Sequence, residues 1–221
     1  MDRSKCVALI ADPDEFFRIA LRTILIDKLA FSSVVEATSL DEALEKLSQD
    51  NGVSLALFEL GLPDIKSAAC LAAVRVCFPN IRTAVVSKSD RKHEVLMALE
   101  AGVHGFVPKG IGPVQLTGAL KLILDGQIYV PSTVATLSSP SEEMQLMEER
   151  SSKNLPVDGL TPRQMEVLQL LIQGKSNKEI AKNLRLGEGT IKVHMAALFR
   201  AFGVNSRAAV AVAGSQLMAD S

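Results

Sequence analysis

The side chains best able to do chemistry in this chain are basic ones gathered toward its C-terminus. From Lys175 to Arg207 there are seven (Lys175, Lys178, Lys182, Arg185, Lys192, Arg200 and Arg207) against two acids, Glu179 and Glu188. Such a cluster neutralises phosphates and releases their condensed counterions, so it points to salt-sensitive binding of a polyanion. The other reactive types carry less. Cys6, Cys70 and Cys77 are odd in number and show no C-x-x-C spacing, which excludes a disulfide framework and a zinc site. Cys70 and Cys77, seven apart on one helix face, read as core residues rather than redox sensors. His93, His104 and His194 are scattered, so neither a metal nor another cofactor is expected. No nucleophile, base and orienter are grouped, which argues against an enzyme.

The whole-chain balance of 24 basic and 25 acidic residues hides this cluster. Residues 1–137 carry 14 basic and 16 acidic side chains, net −2; residues 138–155 carry 2 and 4, net −2; residues 156–221 carry 8 and 5, net +3. Neutrality is therefore an average over unlike parts and does not argue against nucleic acid. At 48 % hydrophobic residues, the 221-residue chain has enough apolar material for real cores, which excludes wholesale disorder. The N-terminal apolar run Cys6–Ala11 is too short for a signal peptide or a membrane span, so a soluble, cytoplasmic protein is expected.

These residues need elements to hold them. Short apolar runs at Cys6–Ala11, Ser33–Ala37, Ser54–Phe58, Thr83–Ser87 and Gly105–Pro108 alternate with helical patterns at Glu15–Lys28, Leu40–Ser48, Asp64–Cys77, Lys92–Ala101 and Pro113–Asp125. The second helical pattern opens with a capping box, Ser39-Leu-Asp-Glu42. Five successive βα units predict an α/β domain over residues 1–125, a five-stranded, doubly wound parallel sheet with its working site at the strands' carboxyl ends. Residues 126–157, rich in turn formers, read as a linker in which Glu142–Arg150 forms an acidic piece able to make a short helix. Residues 158–221 read as an all-α, four-helix domain. Thr161-Pro-Arg-Gln164 and Ser176-Asn-Lys-Glu179 are helix starts, Gly174 is a stop, a third helix runs from Glu188 to Ala201, and a fourth follows Asn205-Ser206 with Ala208, Val212 and Leu217 on one side.

A short helix, a turn and a longer helix with an outward basic face make the layout of a helix-turn-helix DNA reader. Ile191, Met195, Leu198 and Phe202 repeat at spacings of four, three and four and point inward. Lys192, Ala196 and Arg200, with Val193 beside them, form the face that enters a major groove.

Three blocks here, Leu160-Thr-Pro-Arg-Gln-Met-Glu-Val-Leu168, Gly174-Lys-Ser-Asn-Lys-Glu-Ile-Ala181 and Glu188-Gly-Thr-Ile-Lys-Val-His194, resemble the successive signatures of a LuxR-type DNA-binding domain. The resemblance implies that Lys192 and Val193 meet base edges, while Thr190, His194, Asn177 and Lys178 contact phosphate or position helices. Family members often have a polar or basic residue where Ala196 stands. Alanine there can touch a thymine methyl but cannot donate a hydrogen bond.

Upstream, Ile10-Ala-Asp-Pro-Asp-Glu-Phe-Phe-Arg18, Leu57-Phe-Glu-Leu-Gly-Leu-Pro63, Val85-Val-Ser87 and Gly105-Phe-Val-Pro-Lys109 resemble the strand-end blocks of a response-regulator receiver, flavodoxin-like in fold. The two resemblances together give the NarL/FixJ layout over nearly the whole chain. The family implies a phosphoacceptor aspartate after the third strand, an acidic pair for Mg²⁺ after the first, a Ser or Thr after the fourth and a lysine after the fifth. Asp12, Ser87 and Lys109 match, and Phe106 matches the family's switch aromatic. Pro13 replaces the second acid and Glu59 replaces the phosphoacceptor, and the following Pro63-Asp-Ile-Lys-Ser67 loop lacks the usual Asp-Gly. Glutamate moves its oxygens outward by roughly 1.5 Å, and a misplacement of about 1 Å can cost about a hundredfold. Proline supplies no ligand to a cation that takes oxygen donors, and Asp14 is a displaced substitute. The expectation is therefore a degenerate pocket and a regulator that acts independently of phosphorylation. Glu59 is expected to reach Lys109 and Ser87, either imitating the phosphorylated state or serving as a structural ion pair. Two other readings stand beside this one. In the first, phosphorylation on Glu59, or on Asp64, controls the protein; in the second, the receiver docks a regulatory protein partner or binds a small ligand. The expected partners are double-stranded DNA and a second copy of the chain, since twofold operators call for a dimer.

Overall fold

Alternation along each strand decides which side chains face which side of the sheet, and in the computed structural model the alternation is strict. It describes residues 6–49, 52–62, 65, 68–134 and 160–219. Strands β1 (Val7–Ala11), β2 (Ser33–Ala37), β3 (Val53–Phe58), β4 (Arg82–Ser87) and β5 (Phe106–Pro108) pair in parallel in the order β2-β1-β3-β4-β5. Leu9, Ala11, Ala56, Phe58, Val85 and Phe106 face one side, under α2 (Leu40–Ser48), α3 (Ala68–Cys77) and α4 (Lys92–Glu100). Ala8, Ile10, Leu55, Leu57, Ala84, Val86 and Val107 face the other, under α1 (Glu15–Thr23) and α5 (Pro113–Leu124). This is the doubly wound α/β architecture the βα alternation predicts.

Local chemistry explains the helix ends and the departures from expectation. The first helical stretch runs to Lys28 as expected, but Ile24–Lys28 is π-helical, a wider turn that puts Ile24 and Leu25 into the core. At α2 only half of the capping box forms. Ser39 Oγ accepts from Glu42 N at 3.2 Å, whereas the Glu42 carboxylate turns to Thr38, accepting from its N at 2.7 Å and its Oγ1 at 3.0 Å. The first residues of the stretch expected as a linker pair with the receiver. Phe106 N donates to Tyr129 O at 2.9 Å and Tyr129 N to His104 O at 3.2 Å, so residues 126–134 lie along the sheet edge, with Val134 against the core. The rest of the expected linker, including Glu142–Arg150, lies outside the described residues.

Gly105 permits that edge contact. A Cβ at Gly105 would lie 2.6 Å from Ile123 Cδ1 and 3.1 Å from Tyr129 Cβ. Gly105→Ala is therefore expected to destabilise the receiver by about 1–3 kcal/mol through overpacking. Urea unfolding is the check, and an unchanged midpoint would mean that the Ile123 side chain and Tyr129 are free to move away.

The C-terminal four helices are α6 (Pro162–Ile172), α7 (Asn177–Leu184), α8 (Glu188–Ala201) and α9 (Arg207–Ala219). Both capping boxes form. Thr161 N donates to Gln164 Oε1 at 2.9 Å and Gln164 N to Thr161 Oγ1 at 3.1 Å; Ser176 N donates to Glu179 Oε2 at 2.8 Å and Glu179 N to Ser176 Oγ at 3.3 Å. Gly174 adopts the left-handed conformation (φ 79°) that ends α6. Ile191, Met195 and Leu198 are buried against Leu168, Leu171 and Ile180, with Phe202 at the edge, as their spacing predicts. The stripe expected on α9 is corrected. Ala208 and Val212 face solvent, and the inward face is Val210, Gly214 and Leu217 at spacings of four and three. In an alanine-rich helix small residues pattern weakly, so the closest approach to α6 is set instead by Gly214, whose added Cβ would lie 2.6 Å from Leu168 Cδ1.

Candidate functional site: an ion-paired pocket and a covered recognition helix

The sheet brings four of the singled-out residues together at its carboxyl edge. Asp12 follows β1, Glu59 follows β3, Ser87 ends β4 and Lys109 follows β5. Lys109 Nζ lies 2.5 Å from Asp12 Oδ2 and 2.6 Å from Glu59 Oε2, with all three side chains buried. Ser87 Oγ donates to Glu59 Oε1 at 2.7 Å, Gly61 N donates to the same oxygen at 3.0 Å, and Lys88 N donates to Oε2 at 3.3 Å. Burial pushes the Glu59 carboxyl up, but Lys109, Ser87 and Gly61 together outweigh it and hold the group below its ordinary range. The Phe17 ring caps the ammonium, its centroid 4.4 Å from Nζ. Phe106 is fully buried in the core beneath. Above the cluster lies an open pocket of about 380 Å³ that Lys88, Arg91 and Glu94 also line.

These donors do not fit Mg²⁺. The cation needs an octahedron of oxygens, whereas Asp12 and Glu59 already share the Lys109 ammonium and Pro13 offers no side-chain oxygen. Asp14, the displaced substitute, is committed elsewhere. Its Oδ1 caps α1 by accepting from Phe17 N at 3.2 Å, and its Oδ2 lies 3.2 Å from Lys88 Nζ. Those two contacts, the backbone one first, lower its pKa. Asp64 lies outside the described residues.

The second group of residues is held by α7 and α8. Lys192, Arg200 and Lys178 are exposed, and Asn177 Oδ1 accepts from Arg207 Nη1 at 2.9 Å, tying α9 to the start of α7. Thr190, Val193 and His194 are buried, and Ala196 is half-buried. What covers them is the receiver. Val193 and Ala197 join its core cluster over α2 and α3. Around this apolar seam, His194 Nε2 lies 2.8 Å from Asp41 Oδ1 and Arg163 Nε 2.6 Å from Asp41 Oδ2. Glu45 Oε2 accepts from Gly187 N at 2.8 Å and from Thr190 Oγ1 at 3.3 Å. Gln164 Nε2 approaches Cys70 Sγ at 3.3 Å, beneath the same seam. Burial pushes Asp41 up, but His194 and Arg163 prevail and hold it below the usual carboxylate range. Asp41, Glu45 and Arg163 went unrecognised in the sequence because an acidic pair four apart on a helix reads as a solvated face.

Comparison with known proteins fits both halves. The model of the response regulator receiver domain matches residues 8–121, and that of bacterial regulatory proteins of the luxR family matches residues 158–213. The chain is a response regulator of the NarL/FixJ type. This regulator is 32 % identical over 199 residues to a glycerol metabolism activator of Pseudomonas putida, with 90 % of each chain covered. It is 27 % identical over 204 residues to the nitrate/nitrite response regulator protein NarL of Escherichia coli, with 92 % of each covered. Among solved structures, a LuxR family DNA-binding response regulator from Silicibacter pomeroyi matches with a TM-score of 0.50 at 32 % identity, covering 58 % of this chain and 98 % of that one. RcsB from Salmonella enterica serovar Typhimurium, bound to a promoter, shares the fold with a TM-score of 0.53 at 22 % identity, covering 96 % and 99 %. The family regulates transcription and is not enzymatic, and its LuxR-type domains bind DNA. No helix among the described residues of this regulator is long and apolar enough to cross a membrane.

Proposed function

We propose that this regulator is a cytoplasmic, homodimeric DNA-binding protein whose receiver acts without phosphate. The observation that carries the reading is the Lys109 ammonium held between Asp12 and Glu59, with Ser87 on the same glutamate. The charges of Asp12, Glu59 and Lys109 are already paired with one another, so the negative charge a phosphoryl group would bring is supplied by Glu59. Lys192 and Val193 are the residues for base edges, Ala196 suits a thymine methyl, and Thr190, His194, Asn177, Lys178 and Arg200 serve the backbone or position α8. Phe16 and Ile19, exposed on α1, offer an apolar helical face for pairing with a second copy. Of the two roles open to Glu59, the covered recognition helix favours the structural ion pair over imitation of an active state.

The test is acetyl phosphate with Mg²⁺. The expected result is no labelled protein from radioactive acetyl phosphate and the same DNA affinity with and without it. A stoichiometric label accompanied by tighter DNA binding would sink the phosphate-independent reading.

A further inference from the structure

The contacts that close the recognition helix are unlike an ordinary apolar seam. Four donors of the DNA-binding domain face the receiver: the Arg163 guanidinium, the Gly187 N–H at the start of α8, the Thr190 hydroxyl and the His194 imidazole. Each meets a carboxylate oxygen, at 2.6, 2.8, 3.3 and 2.8 Å respectively. Those oxygens come from only two residues, Asp41 and Glu45, one helical turn apart on α2. An i,i+4 pair sets its Cβ atoms about 5–6 Å apart, on the scale that separates neighbouring phosphates along a nucleic-acid strand. A helix N-terminal N–H, a hydroxyl, an imidazole and a guanidinium are also the groups that hold DNA phosphates in protein–DNA interfaces.

We infer that Asp41 and Glu45 stand in for two DNA phosphates, and that Arg163, Gly187 N–H, Thr190 and His194 form an anion-binding row used by α2 in the closed form and by the DNA backbone in the open one. The inference rests on the DNA-binding reading above and adds to it two backbone contacts, Arg163 and Gly187 N–H, and a competitor built into the receiver. The backbone comes close to α2 at two glycines. A Cβ at Gly187 would lie 2.6 Å from Glu45 Oε2, and one at Gly189 2.6 Å from Ser48 Cβ. Because one set of donors serves both anions, receiver and DNA exclude each other at these atoms as well as by bulk. Each therefore weakens the other's hold by the same factor.

The test uses the full chain in a Cys6→Ser/Cys77→Ser background, so that buried Cys70, in contact with Gln164 across the seam, reports opening through its reactivity with Ellman's reagent. DNA binding is read by anisotropy with a labelled duplex of mixed sequence. Asp41→Asn/Glu45→Gln is expected to expose Cys70 and to tighten DNA binding by about tenfold or more, the gain for a reference protein that is open no more than about 10 % of the time. Adding Arg163→Gln to that opened pair is expected to weaken DNA binding and lower the salt slope by about 1, as loss of one phosphate contact does. A residue serving only the seam would leave both unchanged. The inference is overturned if Cys70 stays protected in the pair, if Cys70 reacts but DNA affinity does not rise, or if Arg163→Gln has no effect in the opened background. Lys192→Glu in the same background separates the layers. If it leaves DNA binding intact, the assignment of α8 as the reading helix falls and this inference with it; if it abolishes binding, any failure above belongs to the stand-in carboxylates alone.

Discussion

Replacing Lys109 with methionine is expected to lower the stability of the receiver by about 3–5 kcal/mol at neutral pH, the cost of leaving buried charges without their partner. Methionine keeps most of the stem's volume, so little of the loss comes from a cavity. What remains is Asp12 and Glu59, both buried, facing one another where the ammonium held them at 2.5 and 2.6 Å. The pH dependence separates this from a packing defect. In the wild type Glu59 is held below its ordinary value of 4.5, so its contribution is present above that value and is lost as pH falls through its folded pKa. In Lys109→Met the attraction is gone and burial dominates, raising the folded pKa. Stability is then recovered as pH falls and lost as pH rises through that raised value. Urea unfolding of the two proteins should therefore converge between about pH 7 and pH 4. Asp12→Asn/Glu59→Gln/Lys109→Met, which removes all three charges with little change of shape, should regain most of the loss at pH 7. A deficit in Lys109→Met that is the same at both pH values would mean that the three groups are not coupled.

How far the sequence reaches into this molecule depends on the range of the interaction. The strands were legible because their apolar runs are short and β-branched and lie between capped helices, and the caps at Thr161 and Ser176 follow from residues three apart. The pocket was legible for a different reason: the receiver resemblance singles out Asp12, Glu59, Ser87 and Lys109, and a parallel sheet gathers its strand ends on one edge, where they meet. The seam was not. Periodicity on α8 names an apolar inner face and leaves Val193 and Ala197 outside it, whereas the structure buries both faces, one in its own domain and one on the receiver. Asp41 finds Arg163 at 122 residues' remove and His194 at 153, and nothing local marks a carboxylate that will be paired across domains. The α9 stripe failed for the opposite reason, since alanine and glycine carry too little hydrophobic contrast for a period to show.

Glu59→Asp with Pro13→Asp should convert the pocket into one that accepts phosphate. Shortening the side chain by one methylene withdraws its oxygens by roughly 1.5 Å from Lys109 and Ser87, which now hold them at 2.6 and 2.7 Å, and leaves a gap where a phosphoryl group fits. An aspartate at 13 adds a second carboxylate beside Asp12, and that position is exposed, so the change costs no core contact. With nucleophile placement and the carboxylates for a divalent cation both restored, labelling by acetyl phosphate and Mg²⁺ should appear at about a hundredfold or more above the background that the wild type leaves, with Glu59→Asp alone falling between. The effect should also travel. Phe58 and Phe106, beside the pocket, belong to the same packed cluster as Val193 and Ala197 at the seam, and tightly packed clusters transmit displacement. Phosphorylation of the double variant is thus expected to speed the reaction of Cys70 and to tighten DNA binding, neither of which acetyl phosphate is expected to do to the wild type. A double variant that remains unlabelled overturns the proposal that Glu59 and Pro13 keep the pocket from accepting phosphate. One that is labelled while Cys70 stays protected breaks the link between the pocket and the seam, leaving Asp41 and Glu45 as the controlling contacts.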